Sequence, residues 1–357
     1  MPEFRRAIGL MSGTSRDGVD AALVRTDGRD ALVPEHFVSL AYPPATRARL
    51  AAAVRGEADV APVAREITDR HADAVAALLD AAGVDARDVR LVGFHGHTLH
   101  HDPARRVTRQ IGDAARLAAR TGIDVVADFR QADVAAGGQG APLAPLYHRV
   151  RTAGMARPLA VLNLGGVGNV TWLGAADGIL AFDTGPGNAL LDDLVLARTG
   201  AACDRDGALA GAGRADRAVL DRLLAHPFFD RTPPKSLDRD AFDPAPVAAL
   251  TAPDAAATLV AFTAETVARA LEYMPERPTR WLVAGGGRHN PAMMAALRDR
   301  LGAPVDAVET VGWNGDAIEA DAFAYLAVRS LAGLPLSLPE TTGVSAPTPG
   351  GVLYRAG

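Results

Sequence analysis

Lysine is almost absent from this chain of 357 residues. Among its 37 basic residues, Lys235 is the only lysine. That scarcity excludes whole classes of site. A phosphate loop of the Gly-Lys-Ser/Thr type, a protein-kinase strand lysine and a pyridoxal Schiff base each need one. Lys235 lies in Arg231-Thr232-Pro233-Pro234-Lys235, which fits none of those contexts. The arginine excess has a plain cause in genomic base composition. Cysteine is equally scarce: Cys203 stands alone, so the chain has neither a disulfide framework nor a cysteine-based zinc site. No basic run occurs and the net charge is -5, which argues against nucleic-acid or acidic-membrane partners. No stretch approaches the ~18 uninterrupted apolar residues of a membrane span. Met1-Pro2-Glu3-Phe4-Arg5-Arg6 leads directly into a short strand-like run without a signal-peptide core. The expectation is a soluble cytoplasmic protein.

What is present is apolar residues at 48%, with 36 Gly and 24 Pro, enough for two domains or one large α/β domain. Two apolar runs, 7–10 and 19–25, flank a Ser/Gly/Thr/Asp turn and read as a hairpin with a wide tip. Strands are also expected at 36–40, 89–94, 123–127, 159–164, 170–173, 179–182 and 281–284. Helical spacing marks 60–82, 113–120, 188–198, 214–225, 254–273, 291–300 and 316–331, several closed by a glycine. The tail 335–349 is Pro-rich and reads as irregular. Each half shows antiparallel strands first, then helices alternating with strands. This resembles a duplicated α/β domain more than one doubly wound sheet.

Four glycine-rich turns could carry chemistry. At Ser12–Asp20, glycines let the backbone approach a polyanion, while N–H groups and hydroxyls donate to phosphate oxygens. Asp17 and Asp20 repel a naked phosphate, so they point to magnesium or a sugar hydroxyl nearby. An ordinary hairpin tip has the same composition. In Phe182-Asp183-Thr184-Gly185-Pro186-Gly187-Asn188, Asp183 falls at a strand end before a helix start, where α/β sheets bind ligands. There a carboxylate could act as general base, or Asp183 or Thr184 could simply cap the helix. Asn163-Leu164-Gly165-Gly166-Val167-Gly168-Asn169 fails the dinucleotide fingerprint, because Thr171 replaces its last glycine and a strand follows. It reads better as a second phosphate-facing hairpin. Ala284-Gly285-Gly286-Gly287-Arg288-His289-Asn290 suits a flat base lying against the backbone, or a tight strand-to-helix connection. His95, His97, His100 and His101 lack partners at ligand spacing. Hydrogen bonding by His95, His97 or Thr98 to a polar substrate is the better reading. Asp316 and Glu319, spaced i to i+3, share a face of the last helix.

Taken together, these segments resemble the 1,6-anhydro-N-acetylmuramic acid kinase family, within the actin/hexokinase/Hsp70 superfamily. The resemblance rests on Met11–Asp20, Phe94-His95-Gly96-His97-Thr98, Asp128-Phe129-Arg130, 136–142, Asn163–Asn169, Phe182–Asn188 and Gly285–Asn290. They fall in that order from residue 8 to about 330 and are strong as a set. The resemblance implies an α/β, two-domain actin/hexokinase-like (duplicated ribonuclease H-like) fold with mixed sheets and an interdomain ATP cleft. Domain I would comprise 1–128 plus 338–357, and domain II 129–337. Phosphates would be held by Gly13, Thr14, Ser15, Arg16, Asp17, Gly18, Val19 and Asp20, with Gly165, Gly166 and Asn169. The adenosine pocket would take Gly285, Gly286, Gly287 and Arg288.

Sugar contacts would come from His97, Thr98, Arg130, Gly185 and Asn188. Asp183 would be the catalytic base, Asp17 and Asp20 would hold Mg2+, and Glu319 would orient water or the metal. The implied reaction opens the anhydro bridge with water and phosphorylates the 6-oxygen from ATP, in cell-wall recycling. A homodimer is also implied. Two departures stand out: Arg16 where the family usually has leucine, and His97 where it usually has glutamine. They leave open another anhydrosugar such as levoglucosan, and a non-catalytic ATP-binding module is the remaining alternative.

Overall fold

Short runs of wholly buried small and branched residues build the sheets. Ala7, Ile8 and Leu10 are fully buried, as are Ala160, Val161 and Leu162, the pattern of strands covered on both faces. The computed structural model describes residues 4–13 and 16–357. Its strands are β1 (Arg5–Met11), β2 (Gly18–Thr26), β3 (Leu32–Ala41), β4 (Leu91–Phe94), β5 (His97–Asp102), β6 (Val107–Ile111) and β7 (Val125–Ala127), then β8 (Leu159–Leu164), β9 (Val167–Leu173), β10 (Ile179–Pro186), β11 (Trp281–Ala284), β12 (Val305–Ala307) and β13 (Val352–Tyr354).

The chain divides into two α/β units: Met1–Ala153 with Ala317–Gly357, and Gly154–Asp316. Their sheets have the same plan. In the first, β3-β2-β1 is an antiparallel meander, β4 and β7 follow in parallel, and β13 closes the edge antiparallel. In the second, β10-β9-β8 is the meander, and β11 and β12 follow in parallel. The duplication expected from the order of elements is therefore present in five strands of each sheet, with β13 an addition to the first.

The division does not fall at the expected boundaries of 128 and 338. Residues 129–153 and 317–337 go with the first unit, because helix Ile318–Leu331 packs on its sheet. The approach there is backbone to backbone: a Cβ on Gly9 would lie 1.8 Å from Ala320 O, and one on Gly93 2.2 Å from Phe323 O. Helix Val60–Ala82 covers the first core with Val63, Ile67, Val75 and Leu78. It starts on the Asp59 side chain and stops at Gly83, whose φ is 62°.

Other differences have local causes. Strand β10 runs on to Pro186, beyond the expected stop at 182, because its pairing with β9 continues past a bulge at Asp183/Gly185. The ribbon β5–β6 was not expected, since His-Thr-Leu-His-His-Asp carries no clean apolar alternation. The tail contains a short helix, Pro339–Thr342, before β13. Among the described residues no helix is long and apolar enough to cross a membrane.

Two expectations follow. Gly93→Ala should destabilise the protein by about 1–3 kcal/mol through overpacking against Phe323, read as a lower urea midpoint. On helix Ile318–Leu331, burial pushes the Asp321 carboxyl up to about 7, opposed by Arg151 and by the Tyr147 hydroxyl, which donates to Oδ2 at 3.1 Å. The folded state therefore favours the protonated acid, and stability should fall as pH rises from about 4 to about 7. Asp321→Asn should flatten that slope in denaturation measured across the range.

Candidate active site

In the first unit, polar groups gather around the β1–β2 hairpin. Thr14 and Ser15 lie outside the described residues. Arg16 has a φ of 56° and its N–H donates to Gly13 O at 3.0 Å, which turns the tip. Asp17 is exposed, Asp20 is half-buried, and Val19 buries its side chain, so Val19 offers only backbone to a ligand. Gly18 pairs with Ala41, and a Cβ there would strike Leu40 O at 2.4 Å.

Beneath the tip runs a chain of hydrogen bonds. The Tyr42 hydroxyl donates to Ser12 Oγ at 3.0 Å, and Ser12 Oγ lies 3.2 Å from His97 Nδ1. Burial holds the His97 pKa down to about 4, helped by the charge of Arg16 and opposed by the Ser12 hydrogen bond. His97 is thus a neutral imidazole at the base of the hairpin. Ser12 belongs to the expected Ser12–Asp20 turn, but Tyr42 was not expected, for nothing local in the sequence ties residue 42 to residue 12.

Arg130 Nε donates to His95 Nε2 at 3.0 Å, which leaves His95 Nδ1–H to meet Gly96 O at 3.0 Å. Burial and the Arg130 charge keep His95 well below the ordinary imidazole range. His95 therefore positions Arg130 and is used up inside the protein. Thr98 Oγ1 accepts from Gln110 Nε2 at 3.3 Å. His101 faces Gln139 O and Thr108, and no group of three metal-ligating side chains occurs among the described residues. Glu319 stands on the first turn of its helix and meets solvent. Surrounding protein raises its pKa, with Asp20 adding and Arg130 opposing. Glu319 thus feels the charges of both Asp20 and Arg130.

In the second unit, three of the glycine turns converge. Asn188 N–H donates to Gly165 O at 2.7 Å, Gly187 N–H to Gly166 O at 3.0 Å, and Asn188 Nδ2 to Leu164 O at 3.0 Å. Gly285, at φ 74°, sits where a Cβ would lie 2.5 Å from Asn163 Oδ1. A Cβ on Gly287 would meet Leu164 at 2.7 Å, and one on Gly286 would approach Asn188 at 3.2 Å. The segments at 165–166, 187–188 and 285–287 therefore form one surface of nearly bare backbone. Arg288 lies under it. Its guanidinium binds Glu309 at 2.8 Å, Asp316 at 2.8 Å and Gly285 O at 2.9 Å. Three of its five donors are spent holding the turn. Asp316, expected on the last helix beside Glu319, is instead this arginine's partner and precedes the helix.

Asp183 is only 6% exposed. It sits within β10 opposite Asn169, not at the strand's end as expected, with Gly185 beyond the bulge. Its Oδ2 accepts the Leu237 N–H at 2.7 Å, and its own N–H donates to Lys235 O at 2.9 Å. The capping alternative does not hold: Asn188 precedes the next helix, and Thr184 Oγ1 donates to Gly168 O at 3.1 Å. The Lys235–Leu237 segment that clamps Asp183 was invisible in the sequence, because it acts through backbone atoms.

A family model described as Anhydro-N-acetylmuramic acid kinase matches residues 5–356. A curated anhydro-N-acetylmuramic acid kinase of Rhodospirillum rubrum is 57% identical over 98% of this chain and 94% of its own length. One from Paramagnetospirillum magneticum is 56% identical over 97% and 98%. The solved structure of component A of (R)-2-hydroxyglutaryl-CoA dehydratase from Acidaminococcus fermentans shares the fold. Its TM-score is 0.52 at 11% identity, covering 92% of this chain and 99% of that one.

A neutral, buried His97 should leave a clear mark in solution. Its Cε1–H resonance should not titrate between about pH 5.5 and 8; a midpoint near the ordinary imidazole value would contradict the geometry.

Proposed function

The chain belongs to the anhydro-N-acetylmuramic acid kinase family, and from that premise we propose that Asp183 is the base of an ATP-dependent reaction that opens and phosphorylates an anhydrosugar. The substrate is 1,6-anhydro-N-acetylmuramic acid and the product N-acetylmuramic acid 6-phosphate, in the recycling of cell-wall sugars. The observation that carries the assignment is the clamp on Asp183. A buried carboxylate held on Oδ2 by Leu237 N–H and through its backbone by Lys235 O has a fixed orientation, which general-base catalysis requires.

Asp183 takes one proton from a water whose oxygen bonds to the anomeric carbon. The bond from that carbon to the bridging 6-oxygen breaks, and the 6-oxygen takes the γ-phosphoryl group of ATP as ADP departs. Positioning supplies most of the acceleration in such a loose phosphoryl transition state. The bare backbone at 165–166, 187–188 and 285–287 suits the close approach of a nucleotide, and the turn at Gly13–Asp20 suits its phosphates. Arg130, oriented by His95, and the neutral His97 are suited to the sugar, with Thr98, Gly185 and Asn188.

Asp17 and Asp20 offer the oxygen-only donors that a hard divalent cation prefers, and Glu319 feels the charge of Asp20. Mg2+ held there would neutralise phosphate charge when bound. We read the protein as a cytoplasmic homodimer.

Turnover in oxygen-18 water should place label at the anomeric oxygen of a newly 6-phosphorylated sugar. Unlabelled or unchanged sugar would refute the mechanism. Asp183→Asn should lower kcat by about 10²–10⁴ while ATP still binds; near-native turnover would remove Asp183 from the role. Chelation of divalent ions should abolish turnover, with recovery on adding Mg2+.

A further inference from the structure

A cavity of about 300 Å³ lies in the Gly154–Asp316 unit on the side of β10 away from Asp183. Phe182 and Thr184 line it. Side chains alternate along a strand, so Asp183 between them faces the other way. Part of the wall is Lys235, the chain's only lysine, which is 3% exposed. Its ammonium lies 4.6 Å from the Phe228 ring centre and 4.9 Å from that of Tyr273. It donates to one oxygen, Phe228 O, at 3.3 Å.

An ammonium carries three N–H donors. Two of these have no acceptor among the described residues, and no carboxylate there reaches ion-pair distance. The ring faces offset part of the cost of burying this charge, but they do not replace hydrogen-bond acceptors. Arg269 adds positive charge to the lining, with its Nη1 group spent on Leu224 O. Asp230 and Glu272 stand exposed among the lining residues. They repel a dianion more strongly than a monoanion.

We propose that this cavity binds a small monocarboxylate, whose oxygens accept the two unspent N–H groups of Lys235. The site stands apart from the reaction assigned to Asp183 and needs no turnover to be seen. Burial and Arg231 lower the Lys235 pKa to about 8, with Asp230 opposing. A bound carboxylate would raise it again.

The single lysine makes the test direct. In the full chain carrying ¹³C,¹⁵N-lysine, one side-chain signal reports this site alone. Sodium acetate, added at constant ionic strength against sodium chloride, should shift the Lys235 ε-CH2 resonance saturably and raise its titration midpoint. Asp183→Asn, which keeps an acceptor for Leu237 N–H, should respond in the same way. The proposal is overturned if roughly 100 mM acetate, enough to saturate a millimolar site, gives no saturable shift. Equal shifts from chloride, or loss of the response in Asp183→Asn, would also overturn it. The labelled-water assay is read separately, so either proposal can fail alone.

Discussion

Backbone meeting backbone with no side chain between is the constraint on which both units are built. In the first, Gly9 and Gly93 let helix Ile318–Leu331 lie against β1 and β4, at distances no Cβ would permit. In the second, Gly187 would drive a Cβ to 2.1 Å from Gly165 O, and Gly285 and Gly287 crowd Leu164 in the same manner. The same absence of side chains that packs the core leaves polar backbone groups exposed at the turns. Packing and ligand approach thus draw on one property of glycine.

Functional side chains then hang on these rigid contacts. Glu319 has its place because its helix is seated on the first sheet. Arg288 lies beneath the Gly285–Gly287 turn and ties it to Glu309 and Asp316. Asp183 is fixed by Leu237 and Lys235, residues more than fifty positions further along the chain. In each case a side chain suited to chemistry is oriented by groups that take no part in it.

Charge is handled sparingly. Arginine supplies nearly all fixed positive charge, and several arginines, among them Arg49, Arg116 and Arg288, are paired with carboxylates. His95 and His97 are buried, and burial holds both imidazoles below their ordinary range, so they serve as oriented hydrogen-bonding groups. Lys235 is the exception, a buried ammonium against two aromatic rings with no carboxylate at ion-pair distance among the described residues.

Much of this was legible in the sequence. Apolar runs located β8 and β11 to the residue, and the period and glycine stop located helix Val60–Ala82. The glycine turns were found because tight turns need glycine whatever surrounds them. The repeated order of elements foretold the duplicated sheet. Tertiary structure alone decided the rest. It placed 317–337 with the first unit, carried β10 past Asp183, joined Tyr42 to Ser12 and His97, and put Leu237 N–H on the carboxylate. The reason is physical. Local sequence fixes backbone preference and periodic burial, which act over a few residues. Hydrogen bonds between distant segments, and the burial that shifts a pKa, exist only once the chain has closed on itself.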